Sequence, residues 1–315
     1  MVSSPAFRPR WRLAAGAASL ALLLSGCSAA ATSPATNAGA TFEHVHGLGY
    51  DPTTGRTYAA THHGVWLLST EELPDTYGNG TPDTSGGEET QPIAGRAQDT
   101  MGFLVTETGL LLGSGHPDPA EEPSLSPANL GLISSTDGAE TWDTVSLRGE
   151  TDFHDLAAAP LPSGELRIYG YDAERGTIRV SDTSGTTWID GAALQMRDLT
   201  TDPGNPARVF ATTAAGLMVS DDAAQTFAPA IGAPALYLVD AATASTETDI
   251  VGVDTQGNVW HSTAEGPWIS GGTTQGIVEA LTVVGGQSPW ILVSDDRGVM
   301  ASADYGQNWI ALLPR

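Results

Sequence analysis

One phrase recurs along this chain about every 41 residues. A glycine opens a short apolar strand, which runs into Ser-x-Asp-x-Gly-x-Thr-Trp or a worn copy of it. The cleanest copy is Ser302, Asp304, Gly306 and Trp309 after Gly298. Others are Ser220, Asp222, Thr226 and Phe227 after Gly216, Ser181, Gly185, Thr187 and Trp188 after Gly176, and Ser135, Asp137, Thr141 and Trp142 after Gly131. A reduced copy after Gly257 keeps His261 and Trp268, and Gly64 leads a first unit that has lost the phrase. The lead glycines 131, 176, 216, 257 and 298 are spaced by 45, 40, 41 and 41 residues. Strand-like units of this period predict one propeller blade per repeat.

The phrase resembles the Asp-box of sialidase-type propellers and their non-enzymatic relatives. Short Ser and Asp side chains accept hydrogen bonds from turn amides, and the Trp folds back over apolar surface between strands. The resemblance implies that each hairpin joins the outer two strands of a blade, on the face opposite the usual binding site. Asp137, Asp222 and Asp304 are therefore expected to be structural. The fold class expected is an all-β propeller of six four-stranded blades, with innermost strands at 44–51, 100–106, 153–159, 196–202, 236–242 and 278–284. Exchange of a strand between the first and last blades, a common way to close such a ring, is not evident in this order.

Residues 1–26 read as a secretion signal: Arg8, Arg10 and Arg12 precede an apolar run from Leu13 to Leu24 that is too short to span a bilayer. Leu24-Ser25-Gly26-Cys27 resembles a bacterial lipobox, which implies cleavage before Cys27 and lipid attachment to its sulfur. Residues 27–40 then form a flexible tether and 41–315 a single propeller domain. Cys27 is the one cysteine, so no disulfide forms within the chain. Removing three of thirteen basic residues leaves 10 − 37 = −27, with no lysine. That surface repels phosphate backbones and excludes nucleic acid as a partner. The expected location is the outer face of the cell membrane, held by lipid, as a monomer.

Two stretches break the period. Residues 70–95 are acidic and rich in Gly, Pro and Thr, and 116–128 (HPDPAEEPSLSPA) form a second excursion. Asp75, Asn79 and Asp83 partly match a calcium loop, although Tyr77 stands at a ligand position.

Six of seven histidines fall in the first half of the fold. His44, His46 and His154 open inner strands, while His62, His63 and His116 lie in connections from second to third strands. Both places emerge on one face of a propeller. Neutral imidazole is a common ligand for zinc and copper, so His44, His46, His62, His116 and His154 are candidate metal ligands. His63, Asp99 and Met101 could join them, Met101 favouring copper, and Asp118 and Asp155 could support them. Aligning the inner strands on Leu48, Phe103, Leu156, Leu199, Val239 and Leu281 places His46, Met101, His154, Arg197, Tyr237 and Glu279 two residues earlier. This predicts one rim side chain per blade at the channel mouth.

The stretches HVHGLGYD, ATHHGVW, DTMGF, GSGHPDP and TDFHDLA resemble a family of secreted bacterial Asp-box propellers labelled glycosyl hydrolase or exo-sialidase-like. The resemblance spans residues 42–315 and implies the recurrent histidines His44, His46, His62, His116 and His154. A sialidase would also carry an arginine triad, a Tyr/Glu pair and an acid/base Asp. Only Arg197 lies near the rim; Arg56, Arg208 and Arg297 fall in or beside predicted hairpins. Tyr237, Glu279, Arg197 and Asp155 are the catalytic candidates that this alternative leaves. A scaffold that docks another envelope protein is the third reading.

Overall fold

The computed structural model describes residues 44–78, 91–244, 247–263, 266–286 and 288–315. The signal sequence, Cys27, Asn79 and Asp83 lie outside them. Blade one contains β1 (Val45–Tyr50), β2 (Thr57–Thr61) and β3 (Gly64–Leu68); blade two contains β4 (Asp99–Val105), β5 (Leu111–His116), β6 (Leu132–Ser135) and β7 (Asp143–Ser146). Blade three is β8 (Phe153–Pro160), β9 (Leu166–Asp172), β10 (Thr177–Ser181) and β11 (Ile189–Ala193), and blade four is β12 (Asp198–Asp202), β13 (Asn205–Thr213), β14 (Gly216–Ser220) and β15 (Ala228–Pro229). Blade five is β16 (Leu236–Ala244), β17 (Glu247–Asp254), β18 (Asn258–Thr263) and β19 (Ile269–Thr273); blade six is β20 (Ala280–Val284), β21 (Trp290–Asp295), β22 (Gly298–Ser302) and β23 (Ile310–Pro314). Each sheet is an antiparallel meander, and the chain forms a six-bladed propeller.

Blade one departs from the four-stranded expectation: its sheet has three strands among the described residues. Residues 92–98 pass where a fourth strand would run. The Gly64 N–H donates to the Gln98 carbonyl at 2.9 Å, and a Cβ on Gly64 would lie 2.1 Å from the Arg96 carbonyl. Gly131 and Gly298 meet the outer-strand carbonyls of Ser146 and Leu313 in the same way. Tyr77, placed by sequence in a calcium loop, is instead fully buried and bonded to Thr57 Oγ1 at 2.7 Å, while Asp75 is exposed.

The inner strands pack in the order β1, β4, β8, β12, β16, β20 and back onto β1. Among the described residues no strand is exchanged between blades one and six. Apolar packing and polar ties close the ring instead. Tyr77 stacks edge-on between Tyr50 and Trp290, and the Trp290 indole donates to the Thr76 carbonyl at 3.2 Å. Between blades three and six, half-buried carboxylates tie each inner strand to the next. Asp155 accepts from the Leu199 N–H at 2.6 Å, Asp198 from Val239 at 2.6 Å, and Asp240 from Val283 at 2.7 Å. Blades one and two have Gly47 and Gly102 at the position of Asp155, and their neighbours press close instead: a Cβ on Gly102 would meet the Phe153 carbonyl at 2.6 Å.

The Asp-box hairpins are tied by side-chain hydrogen bonds to turn amides. Ser135 Oγ donates to Asp137 and accepts from the Ala139 N–H at 2.9 Å, while Asp137 accepts from the Thr141 N–H at 2.9 Å. Ser220/Asp222 and Ser302/Asp304 repeat these bonds. In blade three Thr183 takes the Asp position beside Ser181. Trp188 packs on Phe153 with ring centroids 4.9 Å apart, Trp142 lies over Gly113, and Trp309 donates to the Thr273 carbonyl. Ser302→Ala would leave the buried Gly306 N–H without its acceptor. The expected cost is about 1–3 kcal/mol, read as a shift in the urea midpoint with no change in slope.

Candidate functional site at the propeller mouth

Each inner strand enters the propeller through the same distortion. Between Val45 and Gly47, Thr100 and Gly102, Phe153 and Asp155, and Leu236 and Leu238 the pairing with the second strand skips one residue. The skipped residues are His46, Met101, His154 and Tyr237. In the other two blades, the Arg197 N–H donates to the carbonyl of Thr212, the partner of Asp198, and the Glu279 N–H to that of Ser294, the partner of Ala280. All six rim positions are therefore β-bulge residues, two facing one across the ladder. A bulge turns its extra residue away from the regular alternation, which suits an asymmetric site on a repeated frame.

The six side chains do different things. His46, Arg197 and Glu279 line the central channel, whose volume is about 410 Å³, together with Asp155, Asp198 and Asp240. Met101 is half-buried in β4.

Three donor atoms converge at the blade one–two junction. His46 Nε2 lies 3.1 Å from His62 Nδ1, His62 Nδ1 lies 3.0 Å from Asp99 Oδ1, and His46 Nε2 lies 3.5 Å from the same oxygen. Burial, followed by the neighbouring His62 and His44, lowers the His46 pKa to about 3, so this imidazole is neutral. The carboxylate oxygen can only accept, while each ring nitrogen donates or accepts according to its tautomer.

The local sequence fits this placement. His62 and His63 occupy the tight turn from β2 to β3, in which Thr61 Oγ1 donates to the Gly64 carbonyl and accepts from the His63 N–H. The turn from β13 to β14 is built identically on Thr213 and Gly216, with Ala214 and Ala215 between them. The turn thus requires neither histidine. Asp99 begins β4, and Gly115, at φ 137°, allows the Asp99 carbonyl to approach.

The other candidates fall elsewhere. His44 lies beside this trio, its ring centroid 4.9 Å from that of His46, and its Nδ1 is paired with Glu279 Oε1 at 3.0 Å. His63 is exposed and outside the three-donor set. His116 and His154 gather around Asp152, a residue the sequence reading passed over. His154 Nε2 and His116 Nε2 lie 2.8 and 3.4 Å from Asp152 Oδ2. Asp118 caps the turn at the head of the 116–128 excursion, accepting from the Ala120 N–H at 2.7 Å.

The catalytic candidates have structural partners. Glu279 accepts from the Val45 N–H and Ser294 Oγ, each at 3.1 Å, and pairs with His44 and Arg315. Tyr237 does not meet Glu279; Arg197 Nε donates to its hydroxyl at 3.1 Å, and Arg197 Nη2 reaches the Glu279 carbonyl at 2.9 Å. Arg208 and Arg297 pair with Asp221 and Asp295. Burial, then the charge of Asp198, raises the Asp155 pKa well above the carboxylate range, and burial raises Asp198 to about 6 against the pull of Arg197.

No family model matches this sequence, and no curated protein matches it. Similar solved structures are a GH74 xyloglucanase from Xanthomonas campestris (17% identity, TM-score 0.49, 86% of this chain and 45% of that one) and a GH74 enzyme from Niastella koreensis (16%, 0.49, 85% and 45%). An ancestral GH74 enzyme is similar at 15% identity and TM-score 0.47, over 86% of this chain and 39% of that one. The chain spans less than half the length of these proteins, and the likeness is one of fold.

Proposed function

We propose that this protein is a lipid-anchored, extracytoplasmic propeller whose mouth binds one divalent transition-metal ion through His46, His62 and Asp99. The geometry of the three donors carries the reading. Ligands about 2.0–2.1 Å from a tetrahedral zinc stand roughly 3.3 Å apart, and the donor separations here are 3.0, 3.1 and 3.5 Å. Two imidazoles with one carboxylate suit zinc or copper better than a hard cation. The neutral state of His46 is the ligating state. A fourth position is open to water, to a small ligand, or to His44 if it leaves Glu279. Lipid attachment rests on the lipobox at Cys27.

The glycoside-hydrolase alternative asks for two carboxylates flanking a bond. Asp155 and Glu279 are both engaged in holding blades together, so the structure favours binding over that chemistry.

The test is elemental analysis of the untagged mature chain after incubation with zinc or copper and exhaustive buffer exchange. Metal should be retained by the wild type, and the portion held by this site should disappear in His46→Ala/His62→Ala. Metal content unchanged in that double variant would overturn the assignment.

A further inference from the structure

We propose that the mouth side of blades four to six is a membrane-contact surface, which sets Ile231 and Ile277 at the headgroup level of a lipid bilayer. The proposal rests on the reading of Cys27 as the lipid anchor and is independent of the metal site.

The two isoleucines are the starting point. Ile231 is 100% exposed and Ile277 73%, the highest values among large hydrophobic side chains of the described residues. Each stands beside a glycine of positive φ in a connection from an outer strand to the next inner strand. Gly232, at φ 80°, lies between β15 and β16, and Gly276, at φ 72°, between β19 and β20. Inner strands start at the mouth, so both connections lie on that face. A Cβ on Gly232 would meet nothing within 4 Å, so its loop stands clear of the fold.

Single exposed apolar side chains are common; the surroundings of these two point to lipid. Residues 209–220, 223–239 and 266–278 contain no charged side chain, in a chain with 37 acidic residues. They include both connections and the mouth-side turn of blade four, where Ala214 and Ala215 are exposed. The mouth-side connections of blades two and three instead carry Asp118, Glu121, Glu122, Glu150 and Glu174. A carboxylate loses hydration on meeting lipid, so the uncharged sector is the part of this face that approaches a bilayer at low cost. Asp296, exposed beside Ile277 and accepting from its N–H at 3.2 Å, limits the contact to headgroup depth.

The anchor selects lipid over a soluble partner. Cys27 precedes His44 by 17 residues, a reach of at most about 60 Å. The chain enters β1 from the mouth, so this face meets the bilayer with the least extension of that segment. Two side chains are too few to hold a free protein on a membrane, but they suffice to orient a tethered one. A protein partner needs roughly 800 Å² of shaped surface per side, whereas lipid accepts isolated protruding side chains.

The test uses the lipidated mature protein, purified from membranes and reconstituted on phosphatidylcholine vesicles. Its mass first establishes whether Cys27 carries lipid. With that sulfur blocked, Ala215→Cys on the mouth face and Ser163→Cys in the opposite turn from β8 to β9 are single sites for a fluorophore. Brominated phosphatidylcholine should quench the probe at position 215 and spare the probe at 163. Ile231→Ser/Ile277→Ser should lower the ratio of docked to undocked protein about tenfold, while the lipid keeps the variant on the vesicles. Equal quenching at both positions with lipid present overturns the docking and leaves the anchor standing. Quenching at 215 that survives the double variant overturns the role of the isoleucines. A mass without lipid overturns the anchor, and the docking with it. A 215 probe shielded from iodide in native membranes but unquenched on protein-free vesicles assigns the patch to a protein partner and overturns the bilayer.

Discussion

Glu279→Ala is expected to be the most damaging single substitution in this chain, lowering stability by about 3 kcal/mol. This carboxylate closes the ring. It accepts from the Val45 N–H at the first inner strand and from Ser294 within its own blade, and it pairs with His44 and with Arg315 beyond β23. Although burial opposes its ionisation, these partners outweigh it and hold its pKa below the ordinary value. Stability from this group is therefore present above the ordinary glutamate pKa and is lost as pH falls through the depressed value. With no strand exchanged between blades one and six among the described residues, little else of this polar kind secures that seam there. Hydrogen exchange should show β1 amides losing protection first, and the urea midpoint should fall. Glu279→Gln keeps an oxygen for Val45 and Ser294 but loses the charge, so its loss should be about half as large. A purely catalytic carboxylate would leave both variants as stable as the wild type, and that result would remove the latch.

The position of Glu279 was legible in the sequence; its role was not. Aligning inner strands on Leu48, Phe103, Leu156, Leu199, Val239 and Leu281 finds six equivalent residues, and the structure gives each the same bulge. A repeat reveals equivalence because apolar packing recurs with it. It cannot reveal partners in another blade, since the Glu279 bond to Val45 joins residues 234 apart in the chain. The histidines illustrate the same divide. Their shared face followed from strand order, but their separation into two groups depends on where Asp99 and Asp152 point. One signal for His62 was available: Thr61-His62-His63-Gly64 and Thr213-Ala214-Ala215-Gly216 are the same turn, and the histidines stand where alanine suffices. Asp152 was hidden because its burial and its two histidine partners arise only in the fold.

Stability should be greatest in mildly acidic solution and decline as pH rises through about 6. Asp155 and Asp198 face each other on the channel wall, and burial is the leading cause that raises both. A carboxyl whose folded pKa lies above its unfolded value contributes stability that is complete below the unfolded pKa and is lost as pH climbs through the folded one. Asp198 titrates near 6 in the fold, against an ordinary 3.8. That difference is worth roughly 3 kcal/mol at full strength, reduced by channel solvent to the order of 1–2 kcal/mol. The Asp-boxes act with the opposite sign. Hydrogen bonds from Thr141 and Thr226 hold Asp137 and Asp222 down to about 2, so their contribution is present above the ordinary aspartate pKa and is lost as pH falls toward 2. The two trends enclose a maximum between about pH 4 and 6. Asp155→Asn removes one carboxyl of the channel pair while keeping a side-chain oxygen for the Leu199 N–H. In that variant the decline between pH 5 and 8 should flatten, because the carboxyl that burial raises well above its ordinary value no longer titrates there and Asp198 alone remains. The acid limb, set by the Asp-boxes, should stay where it is. Urea midpoints measured at half-unit intervals from pH 3 to 8 check both limbs, and an Asp155→Asn curve parallel to the wild type above pH 5 would show that the channel pair does not carry the effect.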